Sequence, residues 1–536
     1  MAQDPSEVPY VAPSRRSPSY YFVLFVLVAP LWCFVPLSWA FVVYALRSGS
    51  IWYFSWPGRL FFAITLCEVI FSVYHYHLVR HIKSLVPHNT VDFSELQSAF
   101  HRVLKAGLAD LSEDGLDEET LNVSRPGSPE ETIVKLEADD HRAMDFRNTL
   151  RTWFGKVQWS AVRKHEVRQW LYWSIFNADL PPLSELSDSH RAVLDDTMQL
   201  LEKRLGKEVP EGSCPQAKPM RLSVDPIYVT WRPFALYASV AIVNFYLKNW
   251  YWKQRGFRYG SYENLEYIVS IPRGWDSVHG PRPLVLLHGL GLGLLQYHKF
   301  FRLVNKEFKD RPILIVLQPH ISQEIFHPRF LQPLSRRETS KRLAGLIYAL
   351  GWAKYLERDG SESEGEKMER KTGKTSGHGI TLLSHSNGSY THAWMLKDFP
   401  HLVTRSCFVD PVTFCSWEGD IARNFLYRTP TTGPEILISY FVGSELGVAN
   451  LMHKHFDWSS NALWYEDIPN ARDPSKTIFL LGGKDGLIHT ERVLKYLRSH
   501  GVRKGIWCDP EGLHGQALLA GGEGMKRILE WLQEPQ

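Results

Sequence analysis

The chain has 536 residues, 44% of them hydrophobic and 13% aromatic against 22% charged, the balance of a folded protein of two or three domains. A net charge of +4 is small for that length, and no Lys/Arg stripe is interleaved with aromatics, which argues against a nucleic-acid partner. The six cysteines, Cys33, Cys67, Cys214, Cys407, Cys415 and Cys508, form no C-x-x-C pair, so a reduced, cytosol-facing body fits better than a disulfide-stapled one.

After a tail over residues 1–19, the run from Tyr20 to Leu46 carries no charge and exceeds the ~20 residues that span a bilayer. It is also longer than the ~7–15-residue apolar core of a signal peptide, which predicts a retained anchor. Pro30 and Pro36 predict kinks in it. A second apolar run, Leu60 to Val79, is interrupted by Glu68, whose carboxyl must be protonated, paired or wetted to lie in hydrocarbon. Arg15 and Arg16 precede the pair and Arg80 and Lys83 follow it, against Arg47 and Arg59 between. That asymmetry predicts a transmembrane hairpin over 20–83 with both ends cytosolic. The membrane expected is the endoplasmic reticulum or another endomembrane. The 19 tryptophans suit such a membrane–water boundary or an apolar cavity. The anchor is expected to be separable from the catalytic part.

Residues 84–140 read as a linker, partly disordered, because Asp110 to Asp140 is acidic and contains Ser-Arg-Pro-Gly-Ser-Pro after the sequon Asn122-Val123-Ser124. Residues 141–258 read as a helical membrane-proximal region. Its aromatic helices, as at Trp170-Leu171-Tyr172-Trp173, suit packing on the following domain or contact with a membrane surface. The near-zinc motif His165-Glu166-Val167-Arg168-Gln169 has Gln in place of the second His. Phe234 to Leu247 is apolar but short for a span. It fits an interfacial helix, a re-entrant segment or a wall of the substrate entrance, and a true crossing would move the C-terminal half to the other side.

From Tyr259 the pattern becomes short β-rich runs alternating with helices. Buried strands are expected at Leu284–Leu287, Ile313–Leu317, Ile380–Leu383, Cys407–Val409, Ile478–Leu481 and Gly505–Trp507. Such alternation predicts an α/β class, a mostly parallel sheet with helices on both faces and sites beyond the strand carboxyl ends. The Glu/Lys/Ser/Gly-rich run from Asp359 to Gly377 reads as a disordered surface insertion.

One strand ends in Ser384-His385-Ser386-Asn387-Gly388 and leads into an apolar helix. This resembles the nucleophile elbow of the α/β-hydrolase superfamily, G-x-S-x-G, with Ser384 in place of the first glycine. Upstream, His288-Gly289-Leu290-Gly291 follows a buried strand and resembles the superfamily's oxyanion loop. A phosphate-binding glycine loop is excluded there, because neither G-x-G-x-x-G nor a following Lys is completed. Downstream, Gly482-Gly483-Lys484-Asp485-Gly486 resembles the acid loop and Glu511-Gly512-Leu513-His514-Gly515 the histidine loop. The resemblance covers 259–536. It implies Ser386 as nucleophile, His514 as base and Asp485 as the acid that orients it, with Asp410 in Val409-Asp410-Pro411 as the alternative acid. It implies an oxyanion hole of the Leu290 and Asn387 N–H groups. No metal or other cofactor is expected. A lid is expected over about 412–469, rich in aromatics (Phe425, Tyr427, Tyr440, Phe441, Phe456, Trp458, Trp464, Tyr465) and apt to cover an acyl-chain pocket.

The function implied is a membrane-anchored serine hydrolase, an esterase or lipase on hydrophobic acyl esters presented by the bilayer. An acyltransferase with the same triad and a catalytically idle hydrolase-fold scaffold are the alternatives.

Overall fold

The computed structural model describes residues 4–11, 13, 15–87, 93–106, 133, 135–353 and 379–533. The run from Asp359 to Gly377 lies outside the described residues, as do the Asn122 sequon and most of the acidic stretch from Asp110 to Asp140.

Two helices open the chain, α1 (Pro18–Ser48) and α2 (Trp56–Ser84), both long and apolar enough to cross a membrane. A π turn at Leu24–Val28 stands just before Pro30. Pro36, inside α1, cannot give an N–H to Trp32 O, and that carbonyl instead accepts from Trp231 Nε1 at 3.4 Å. The helices touch through Trp39 Nε1, which donates to Ser72 Oγ at 2.9 Å, and through the rings of Phe41 and Phe61.

Residues 93–105 depart from the linker expected there. They form α3 (Phe93–Lys105), because Leu96, Phe100, Val103 and Leu104 fall on one helical face and bury it. Three more helices follow, α4 (His141–Leu150), α5 (Lys164–Phe176) and α6 (Asp188–Leu205), and then the apolar α7 (Phe234–Tyr246). Side chains of α3 to α6, such as Phe146, Trp170, Leu171 and Leu201, share one apolar core with a face of the sheet. The tail is tied to this region too: Arg147 donates to Asp4 Oδ2 at 2.7 Å and Arg151 to Val8 O at 2.7 Å.

The sheet has eight strands: β1 (Arg258–Tyr262), β2 (Leu265–Ser270), β3 (Leu284–Leu287), β4 (Ile313–Leu317), β5 (Ile380–His385), β6 (Val403–Val409), β7 (Thr477–Gly482) and β8 (Ile506–Asp509). Their order is β1-β2-β4-β3-β5-β6-β7-β8. β2 runs antiparallel to β1 and β4, and all other neighbours are parallel. The hairpin β1–β2 turns on Glu263 and Asn264, with φ of 47° and 70°, the left-handed pair a two-residue hairpin requires. Strand alternation divides the core. Val285, Leu287, Leu314 and Leu382 face one side, while Leu284, Leu286, Ile315 and Leu383 face the other. On the second side lie α8 (Leu294–Glu307) and the closing helix. On the first lie α9 (Arg336–Ala349) and α10 (Gly388–Asp398).

Between β6 and β7, where the lid was expected, stand α11 (Gly433–Ile438), α12 (Leu446–Lys454) and a one-turn helix at Trp458–Asn461. α13 (Thr490–Ser499) and α14 (Glu523–Gln533) complete the fold. The N-terminal helices are built into this body rather than hung from it. Tyr20, Val23 and Val28 of α1 pack on Ile436 and Tyr440 of the lid. Phe71 and Ile82 of α2 form a cluster with Tyr237, Ile325, Phe330 and Leu446. Glu68 accepts the Phe234 N–H at 2.8 and 2.9 Å, so the acid that interrupts the second apolar run caps the first turn of α7.

Candidate active site

Ser386 lies between β5 and α10 with φ of 51°, a left-handed conformation that a serine adopts only under constraint. The constraint comes from both flanks. A Cβ on Gly388 would stand 2.5 Å from Leu287 O, so no larger residue fits where the helix crosses the end of β3. On the other flank Ser384, where G-x-S-x-G has its first glycine, is wholly buried. Its Oγ is hydrogen-bonded to His392 Nδ1 at 2.8 Å, and His392 Nε2 to Ser406 Oγ at 3.0 Å. The departure from glycine is thus absorbed by a closed polar chain beneath the elbow.

The structure brings Ser386, His514 and Asp485 together. Ser386 Oγ donates to His514 Nε2 at 2.8 Å, and His514 Nδ1 donates to Asp485 Oδ2 at 2.6 Å. Asp485 is itself fixed, its Oδ1 accepting from Leu487 N at 2.7 Å and Ile488 N at 3.1 Å. Burial pulls the His514 imidazole down, but the charge and hydrogen bond of Asp485 outweigh it, so its pKa stands above the ordinary value.

Asp410 is close by but holds loops rather than the imidazole. Its carboxylate accepts from Gly482 N at 2.8 Å and Gly515 N at 2.7 Å, tying the turn after β7 to the turn that carries His514. Burial raises its pKa to about 6. Oxygens of Asp410 and Asp485 and a nitrogen of His514 lie within 4.8 Å of one another, a spacing a metal ion could use. Each carboxylate oxygen already faces an N–H donor, an arrangement that repels a cation.

The turn after β3 approaches the nucleophile closely: a Cβ on Gly289 would come within 2.9 Å of Ser386 Cβ. Gly289 N donates to Tyr297 Oη at 2.9 Å, Gly291 N to Ile321 O at 3.0 Å and Leu292 N to Gln296 Oε1 at 3.0 Å. Among the described residues the Leu290 N–H has no such protein acceptor, nor does that of Asn387, and these are the two donors expected for an oxyanion. His288 is buried, and its Nδ1 donates to Gly289 O at 2.9 Å, which places it in the wall of the loop.

Three neighbours carry no sequence signal. Tyr297 donates from Oη to His385 Nδ1 at 2.6 Å while accepting from Gly289, so it joins the oxyanion turn to the elbow. His385 is held neutral, its pKa far below the ordinary value through burial and repulsion by His514 and His288. Asn244 of α7 donates to Leu292 O at 3.1 Å and accepts from Leu295 N at 3.0 Å, bracketing Gly293.

A cavity of ≈ 240 Å³ opens beside Asn387, lined among others by Gln318, His320, Thr391, Trp394, Met452 and Phe456. Its lining mixes polar and apolar groups. Of the lid aromatics only Phe456 lines it; Trp464 stacks on Trp417 and Tyr440 packs on α1.

No family model matches the chain, and no curated protein does. Among solved structures it is similar to a membrane phospholipase A described as a bacterial virulence factor, at 16% identity and a TM-score of 0.33, over 56% of this chain and 92% of that one. It is similar to the carboxylesterase CesB of Bacillus subtilis at 12% and 0.32, over 56% and 99%, and to the naproxen esterase of Bacillus subtilis at 11% and 0.33, over 55% and 97%. At such scores the fold assignment rests on strand order and on the chain order Ser, Asp, His with each residue after a strand. Those are the features of the α/β-hydrolase fold.

Proposed function

We propose that this chain of α/β-hydrolase fold is a membrane-anchored serine hydrolase that cleaves carboxylic esters of lipid-like, amphipathic substrates. The observation that carries this reading is the imidazole of His514 held between Ser386 Oγ at 2.8 Å and Asp485 Oδ2 at 2.6 Å. In such a site Ser386 Oγ attacks the ester carbonyl as His514 Nε2 takes its proton, and the negative charge passes to the carbonyl oxygen. The N–H groups of Leu290 and Asn387 would donate to that oxyanion. Collapse breaks the bond to the alcohol, which leaves with the proton from His514. Water then attacks the acyl-enzyme with the same base, releasing the acid and restoring Ser386.

The class of substrate follows from the surroundings. α1 and α2 are apolar enough to cross a bilayer, and α1 packs on the lid, which supports a site beside the membrane. The mixed lining of the cavity next to Asn387 suits an ester with a polar and an apolar part. The test is a fluorophosphonate probe followed by ester hydrolysis, in membranes holding the wild type or Ser386→Ala. Labelling should vanish in the variant and hydrolysis should fall on the order of 10⁴–10⁶-fold. A wild type that neither labels nor hydrolyses esters would leave the idle-scaffold reading in its place.

A further inference from the structure

The apolar α7 and the helix after the oxyanion turn share an outer face that the ester-cleaving site does not use. Along α7 and the turn beyond it, Ile242, Phe245, Tyr246 and Trp250 are exposed. Cations follow at once: Lys253 and Arg255 are exposed, and Arg255 stands over the Tyr251 ring at 3.5 Å. On α8, Lys299, Arg302 and Lys306 recur at helical spacing and form a stripe. With Arg255 and Lys309 they line an open groove of ≈ 740 Å³ beside the end of α7. Among the described residues, none of these five cations is in an ion pair. Glu307 and Asp310 are exposed in the same stretch but do not line the groove. The concentration of positive charge is felt by a neighbour: His298 has its pKa lowered by burial, then by Arg302, Arg255 and Lys299.

We propose that this α7–α8 face is a second bilayer-contact surface, with Phe245 and Trp250 in the interface and the groove seating anionic phospholipid headgroups. It rests on the reading of α1 and α2 as a membrane-inserted hairpin. Continuity with that hairpin fixes the occupant. Phe71 of α2 packs on Tyr237 of α7, and Glu68 caps α7, so a bilayer around α2 reaches the first turn of α7, and Ile242, Phe245 and Tyr246 follow along the same helix. Aromatics followed by Lys and Arg are the order of groups met on leaving hydrocarbon for the headgroups. Five unpaired cations then face a layer that carries negative charge on its lipids.

The full chain would be placed in vesicles of phosphatidylcholine alone or with added phosphatidylserine. Each preparation would contain a photoactivatable lipid of the matching headgroup, and crosslinks would be mapped by mass spectrometry. Residues 242–250 should crosslink in both. Residues 299–309 should crosslink at least about fivefold more in the serine-containing vesicles, the ratio expected from even one cation on an anionic surface, and high salt should erase the difference. Lys299→Glu/Arg302→Glu/Lys306→Glu should lose that preference and keep fluorophosphonate labelling of Ser386. Where charge reversal harms folding, the Lys299→Gln/Arg302→Gln/Lys306→Gln variant gives the same comparison. Equal crosslinking in the two vesicles, or a preference that survives removal of the charges, overturns the proposal, as does a protein partner occupying this face in intact membranes. Loss of the protein from carbonate-washed vesicles would instead overturn the hairpin reading, and absence of labelling in the wild type the hydrolase reading.

Discussion

In the proposed mechanism His514 acts as a base only when neutral, and Asp485 keeps its pKa above the ordinary value against the pull of burial. The rate of fluorophosphonate labelling should therefore rise with pH along a limb centred above the ~6.5 of an unperturbed histidine. In Asp485→Asn the charge and its hydrogen bond to Nδ1 go and burial remains, so the limb should move below that of the wild type. Turnover should fall on the order of 10⁴-fold, because the amide NH₂ that faces Nδ1 fixes the wrong tautomer of the imidazole. Asp410 also raises the His514 pKa, through its charge alone. Asp410→Asn should shift the same limb downwards by less. An Asn amide can accept only one of the Gly482 and Gly515 N–H bonds and turns an NH₂ towards the other. We expect a loss of about 1–3 kcal/mol in stability and a much smaller loss in turnover than for Asp485→Asn. A limb that stays in place in Asp485→Asn, measured by labelling rate against pH, would remove Asp485 from its assigned role.

At the scale of elements, α7 is where the sequence reading and the structure meet most usefully. Its hydropathy marked an interfacial, re-entrant or wall-forming segment, and one side chain in it, Asn244, steadies the turn after β3 through Leu292 O and Leu295 N. Asn244→Leu removes both bonds while keeping the helix apolar. We expect kcat to fall about tenfold or more, with KM and the pH limb nearly unchanged, because His514 is untouched. A matching loss in both KM and melting temperature would mean that Asn244 only holds the fold. The parallel strands β3, β4, β5 and β7 were legible because each carries an apolar run that is almost wholly buried, and the triad because each member follows a strand. The hairpin β1–β2 was not, since its strand Arg258–Tyr262 is half exposed and polar. α3 was missed because an acidic low-complexity stretch follows it, although Leu96, Phe100, Val103 and Leu104 hold the helical period. Tyr297, His385 and Asn244 could not be found from spacing at all. Their partners stand 88 residues away for Tyr297 and His385, and 48 and 51 away for Asn244, and only the fold joins them.

Taken as a whole, the molecule has two kinds of surface on its N-terminal helices. Tyr20, Val23, Val28, Phe71 and Ile82 are buried against the lid and α7, whereas Leu37, Tyr44, Ile64 and Ile70 are exposed. Deleting residues 1–83 removes both kinds together, and with them Glu68 at the start of α7 and Asp4 at Arg147. It should give a misfolded product rather than a soluble esterase, which departs from the separable anchor the sequence implies. The informative variant changes only the outward set. Leu37→Ser, Tyr44→Ser, Ile64→Gln and Ile70→Gln together leave the contacts to the lid intact and make both apolar runs unfit for hydrocarbon. Membrane retention under carbonate should drop to a minor fraction while fluorophosphonate labelling of Ser386 and hydrolysis of a small soluble ester stay within about twofold, since surface changes away from the site act weakly. Some retention should persist through Phe245, Trp250 and the cations of the α8 groove, and high salt should remove only the share that the cations carry. Complete retention of this variant would show that the outward faces of α1 and α2 do not lie in lipid. Loss of labelling would show that those faces pack on protein after all.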